Sequence, residues 1–165
     1  MPIDYFSNCK TNSNKDKFGL CDDQPPLSNP AYIDENDSTK WIGIVHNPHL
    51  KEINFNAIDN CIDIRRDDNK MDSRCDGVLS YDNNLIFTEL KEREGGQWLK
   101  KGREQLTATI KRFKQEVDTN RFSSIKGYVC NNLRPQAHSG QAVNIQRFKD
   151  DTGYNLYGKQ DVDIE

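Results

Sequence analysis

Three charged residues in an otherwise apolar stretch give this chain its clearest chemical signal. The segment RCDGVLSYDNNLIFTELKER, residues 74–93, carries Asp76 near its start and Glu89 and Lys91 near its end. Asn83-Asn84 reads as a two-residue hairpin turn, because asparagine tolerates the positive φ that type I′ requires. That turn pairs Asp82 with Leu85, sets Asp76 opposite Lys91 and Val78 opposite Glu89, and projects Asp76, Glu89 and Lys91 from one face. The other face, with Ile86, Thr88 and Leu90, is expected to pack beneath a helix. Two carboxylates brought that close repel unless a cation lies between them, and hard oxygen ligands without thiolates favour Mg2+ or Mn2+. A neighbouring lysine can orient a water or help deprotonate it, while the metal stabilises charge developing on a phosphate. The competing reading is a surface ion pair from Asp76 to Lys91, of little value to stability.

The elements that must hold these residues follow from periodicity. WIGIVHN from Trp41 reads as a strand ended by Asn47-Pro48, and KEINFNAID as a second, with Ile53, Phe55 and Ala57 alternating against Asn54 and Asn56. CIDIRRDDNKMDS is expected to add a short strand and a polar turn. After the hairpin and Gly95-Gly96 the period becomes helical: Leu99, Leu106, Ile110, Phe113 and Val117 form one stripe from Gln97 to about Asp118. SSIKGYVCNN reads as a buried strand, followed by a loop at Arg134-Pro135, a helix capped by Gly153 and a last strand, YNLYG.

An acid on one strand followed by Glu-x-Lys on the next, in CDG at 75–77 and FTELK at 87–91, resembles the PD-(D/E)XK nuclease superfamily. The likeness spans about Lys51 to Asn131. It implies an α/β fold with a central mixed β-sheet flanked by helices, a restriction-endonuclease-like core, and an Mg2+- or Mn2+-dependent endonuclease acting on DNA. Asp76, Glu89 and the carbonyl of Leu90 would hold the metal, Lys91 would serve the nucleophilic water, and Gln105 in EQL would assist from the helix. The resemblance also implies a homodimer or a partner protein subunit, as in effectors of phage defence, restriction or DNA repair. Two features depart from the pattern: no helix with its own glutamate leads into the first core strand, and Cys75 precedes Asp76 where proline is usual. Asp59 offers a further carboxylate, although Asp59-Asn60 reads first as a turn.

Charge is unevenly distributed. Residues 1–38 carry three Lys/Arg against seven Asp/Glu, residues 149–165 two against five, and residues 39–148 eighteen against fourteen. Lys100, Lys101 and Arg103 open the basic stretch and are the candidates for phosphate contacts. The other reading of such a run is a solvated helix face.

The length, 165 residues, suits one domain, divided here into an irregular acidic N-terminal arm at 1–38 and an α/β domain at 39–165. No segment is apolar enough to span a membrane, and the N-terminus lacks the pattern of a secretory leader. Five cysteines without C-x-x-C signal neither a disulfide framework nor a zinc ribbon, so a cytoplasmic protein with reduced thiols is expected. His46 and His49 have a zinc-compatible spacing but flank a proline turn, and His138 reads as a surface residue. Two rivals to catalysis stand: a non-catalytic nuclease-fold module that binds a partner protein, and an acidic arm that docks or inhibits by mimicking nucleic acid. The first would leave Asp76, Glu89 and Lys91 splayed or covered.

Overall fold

A computed structural model describes residues 3–23, 28–64, 68, 73–134 and 140–165. Among the described residues it is an α/β protein of two sheets and two α-helices. Strands β1 (Lys10–Ser13), β2 (Lys17–Cys21) and β3 (Tyr32–Asp34) precede β4 (Gly43–His46) and β5 (Ile53–Ala57). The hairpin β6 (Gly77–Tyr81) and β7 (Asn84–Lys91) leads to helix α1 (Trp98–Glu116), strand β8 (Ser124–Asn131), helix α2 (Gln141–Thr152), β9 (Asn155–Gly158) and β10 (Asp161–Asp163). One sheet has the order β1-β5-β6-β7-β8-β9 and the other β10-β4-β2-β3. The larger sheet is mixed: β1, β5, β6 and β7 pair antiparallel, and β7, β8 and β9 pair parallel.

Strand alternation decides what covers each face. Leu85, Phe87, Ile125 and Val129 pack with Leu99, Leu106, Ile110 and Phe113 of α1. Ile53, Phe55, Leu79, Ile86, Leu90 and Cys130 pack with Phe18, Leu20, Val45 and Val162 of the smaller sheet. The helices therefore lie on one face and the second sheet on the other, instead of helices on both. The expected roles of the β7 faces are exchanged: Leu85, Phe87 and Glu89 share the helix side, while Ile86 and Leu90 face the second sheet. Helix α1 comes close to the sheet at Gly102, where a Cβ would lie 2.6 Å from Val129 Cγ1.

The described residues of segment 1–38 form three strands where an irregular arm is expected. Its β1 forms an edge of the larger sheet, and β2 sits between β3 and β4 in the smaller one. Cys9 and Cys61 form a disulfide, which corrects the expectation of five reduced thiols; Cys21, Cys75 and Cys130 are free and buried. Of the two histidines with zinc-compatible spacing, His46 contacts Asp161 Oδ1 at 2.7 Å. No strand lies among the described residues of 61–73, and Pro135 and His138 fall outside the described residues. No described helix is long and apolar enough to cross a membrane.

Candidate functional site

The hairpin turn is Asp82-Asn83, with φ of 46° and 64°, not Asn83-Asn84. Tyr81 pairs with Asn84 and Val78 with Phe87, so the register moves by two residues from the expected one. A shift of two preserves the side-chain face, where a shift of one would reverse it. One step beyond Gly77↔Thr88, the ladder sets Asp76 against Glu89 instead of Lys91. The Asp76 amide donates to Glu89 Oε1 at 3.1 Å, and Asp76 Oδ2 accepts from the Leu90 amide at 2.7 Å.

Lys91 completes the cluster, its Nζ 3.0 Å from Glu89 Oε2 and donating to Gln105 Oε1 at 2.8 Å. The ion pair expected between Asp76 and Lys91 is thus made by Glu89. One helical turn beyond Gln105, the Thr109 hydroxyl accepts from the Cys75 amide at 2.8 Å and donates to the Gln105 carbonyl at 3.0 Å. Helix α1 therefore holds both strands of the hairpin at the site.

Burial sets the electrostatics. Asp76 is 7% exposed and Glu89 3%. Burial, then the charge of Glu89, pushes the Asp76 carboxyl well above its ordinary range. Burial also raises Glu89, opposed by Lys91 and by a hydrogen bond from Asp76. Lys91 beside Glu89 favours its charged form, whereas the charge of Glu89 disfavours that of Asp76. Burial likewise pushes the Cys75 thiol up, making it a packing residue and not a nucleophile.

Among the described residues no group of three or more His, Cys, Asp and Glu side chains converges as a metal cage. The two carboxylates supply hard oxygens, and the resemblance would add the carbonyl of Leu90, whose amide binds Asp76. They suit an ion that keeps several waters, and a cation would relieve the repulsion between the two carboxylates. Asp59 is engaged with Arg74 at 3.1 Å, and Asn60 has φ 61°, as a turn requires. Asp22, just after β2, was not foreseen. Burial raises it to about 7, reinforced by the charges of Asp76, Asp59, Asp23 and Glu92. No local sequence pattern marks it, because only the pairing of the smaller sheet brings it near.

The basic residues divide. Lys100 and Lys101 are exposed, and Lys101 lies one turn before Gln105 on the same side of α1. Arg103 is 5% exposed and its Nε donates to Asn144 Oδ1 of α2 at 2.8 Å, so it joins the helices and is not presented to a phosphate. At the end of β7, the side-chain amide of Asn131 accepts from the Arg93 amide at 3.2 Å and donates to the Arg93 carbonyl at 2.7 Å. Asn132 Nδ2 donates to Glu92 Oε1 at 2.7 Å, so the connections leaving β7 and β8 are bonded to each other.

Compared with protein-family models, curated proteins and solved structures, the chain has no match.

Proposed function

We propose that the protein is a metal-dependent nuclease of the PD-(D/E)XK type that hydrolyses DNA phosphodiester bonds. The observation that carries this reading is the convergence of Asp76, Glu89, Lys91 and Gln105 on one face of the hairpin. Asp76, Glu89 and the Leu90 carbonyl would hold Mg2+ or Mn2+. The chemistry such an ion supplies when bound is a lower pKa for water and neutralisation of charge on the phosphate. Lys91, fixed between Glu89 and Gln105, orients the attacking water and can exchange its proton. Lys101, with Lys100 beside it, contacts the backbone phosphate. Incubating supercoiled DNA with the protein and Mg2+ or Mn2+ tests the reading: nicking should occur, and should vanish with a chelator or in Glu89→Gln. Absence of cleavage with either metal overturns it.

Burial of Asp76 and Glu89 favours a second reading, a non-catalytic module of the same fold that binds a partner protein. An inactive protein that copurifies with one defined subunit would support it. A homodimer and an effector role in phage defence, restriction or repair belong to the same proposal. So does a cytoplasmic location, where the Cys9–Cys61 bond would have to persist against cellular reductants. Thiol labelling in cell extracts checks that condition.

A further inference from the structure

Where α1 stops covering the larger sheet, the sheet face turns from apolar to polar. Val78 and Phe87 lie under the helix, whereas Asn54 and Asn56 of β5 and Ser80 of β6 floor a groove of about 580 Å³. That volume is within the usual range of small-molecule sites. Among the described residues the Asn54 amide and the Ser80 hydroxyl make no side-chain hydrogen bond. Asn56 is oriented by donation from its amide nitrogen to the Asn8 carbonyl at 3.1 Å.

One wall is aromatic: Phe6 and Phe122 have ring centroids 6.3 Å apart. The Arg121 guanidinium lies 4.9 Å from the Phe122 centroid, and Lys10 borders the groove from β1. Neither cation has an acidic partner among the described residues. Glu52 also lines the groove, at the hairpin end, and disfavours an anion there. Asp82, at the same end, is neutralised by Lys51 at 2.5 Å.

We propose that this groove holds a single unstacked nucleotide. Phe6 and Phe122 contact the base plane, Asn54 and Ser80 bond its edge with both donors and acceptors, and the phosphate lies toward Lys10. An aliphatic ligand would leave the amide floor unpaired, and a neutral sugar would leave both cations unused. The groove is separate from the acidic site: Ser80 is four residues along β6 from Asp76, ~13 Å in an extended strand. The proposal does not depend on Asp76 and Glu89 being catalytic.

The test titrates the full chain, without divalent metal at low salt, with the four nucleoside monophosphates, with ribose 5-phosphate and with a short single-stranded oligonucleotide. Saturable binding of a monophosphate assigns the groove to free nucleotides, and binding of the oligonucleotide alone, weakened by Asn54→Leu, assigns it to a nucleotide held in a strand. Asn54→Leu should weaken nucleotide binding about fivefold while sparing ribose phosphate, as loss of one hydrogen bond to the base would. Lys10→Ala should weaken both and flatten the salt dependence. The proposal fails if neither nucleotide form binds saturably, or if both groove substitutions, shown folded by circular dichroism, leave affinity within about twofold.

Discussion

Asp76 and Glu89 each bind the backbone of the other's strand: the Asp76 amide reaches Glu89 Oε1, and the Asp76 carboxyl receives the Leu90 amide. The pair is at once a structural clasp and an acid cluster, so its protonation is linked to the stability of the hairpin.

Stability should carry that linkage. Both acids are raised, from ordinary values of 3.8 and 4.5, so their stabilising contribution is complete below those values and is lost as pH rises through their folded pKa. Denaturant titrations should show Asp76→Asn gaining on the wild type with increasing pH. Mg2+ held by these carboxylates should raise the wild-type Tm more at higher pH, because metal and proton compete for the same oxygens. A pH-independent difference between the two proteins would contradict this electrostatic account.

Glu89→Gln and Glu89→Ala should behave differently. Glutamine keeps an acceptor for the Asp76 amide, so cleavage should be abolished with little change in Tm. Both substitutions remove the counter-charge of Lys91, but alanine also leaves that buried amide unsatisfied, which should cost a further ~1–3 kcal/mol. Equal Tm values for the two variants would show that the clasp contributes nothing.

Lys101→Ala should lower DNA affinity and reduce the slope of log affinity against log salt by about 1, as loss of one phosphate contact does. Arg103→Ala should leave the slope alone and destabilise the fold, since its guanidinium bonds Asn144 between the helices. Filter binding across a salt series, beside thermal melts, separates the two effects.

Cys9→Ser should cost about 2–4 kcal/mol in denaturant unfolding, because the disulfide closes a long loop with a sequence separation of 52. A dithiol reductant should reproduce that loss in the wild type and add nothing to Cys9→Ser. A wild-type midpoint unmoved by reductant would show that the bond does not form in solution.

The sequence carried most of the hairpin and α1 because their signals are local. The Leu99, Leu106, Ile110 and Phe113 stripe specifies a helix, and asparagine and aspartate specify a tight turn. The turn was misplaced by one residue because Asp82, Asn83 and Asn84 all tolerate that backbone, and the register depends on which two adopt it. The face carrying the acids was legible nonetheless, since parity survives a shift of two. Strand β1, KTNS, has no apolar period; its extended form comes from pairing with β5. Asp22 and the partner of Cys9 could not be read at all, because both depend on contacts between segments distant in the chain.

Parallel pairing of β7 with β8 in the register Lys91↔Asn131 brings two connections to the edge that carries the acids. These connections are fastened to each other through Asn131–Arg93 and Asn132–Glu92. The carboxylates, by contrast, belong to the hydrogen-bonded ladder and to its contacts with α1. The rim and the acid cluster are therefore held by separate sets of bonds. Residues 94–97 and Leu133 on that rim can be exchanged while the hydrogen bonds of Asp76 and Glu89 stay in place, which makes it the natural place to engineer the protein.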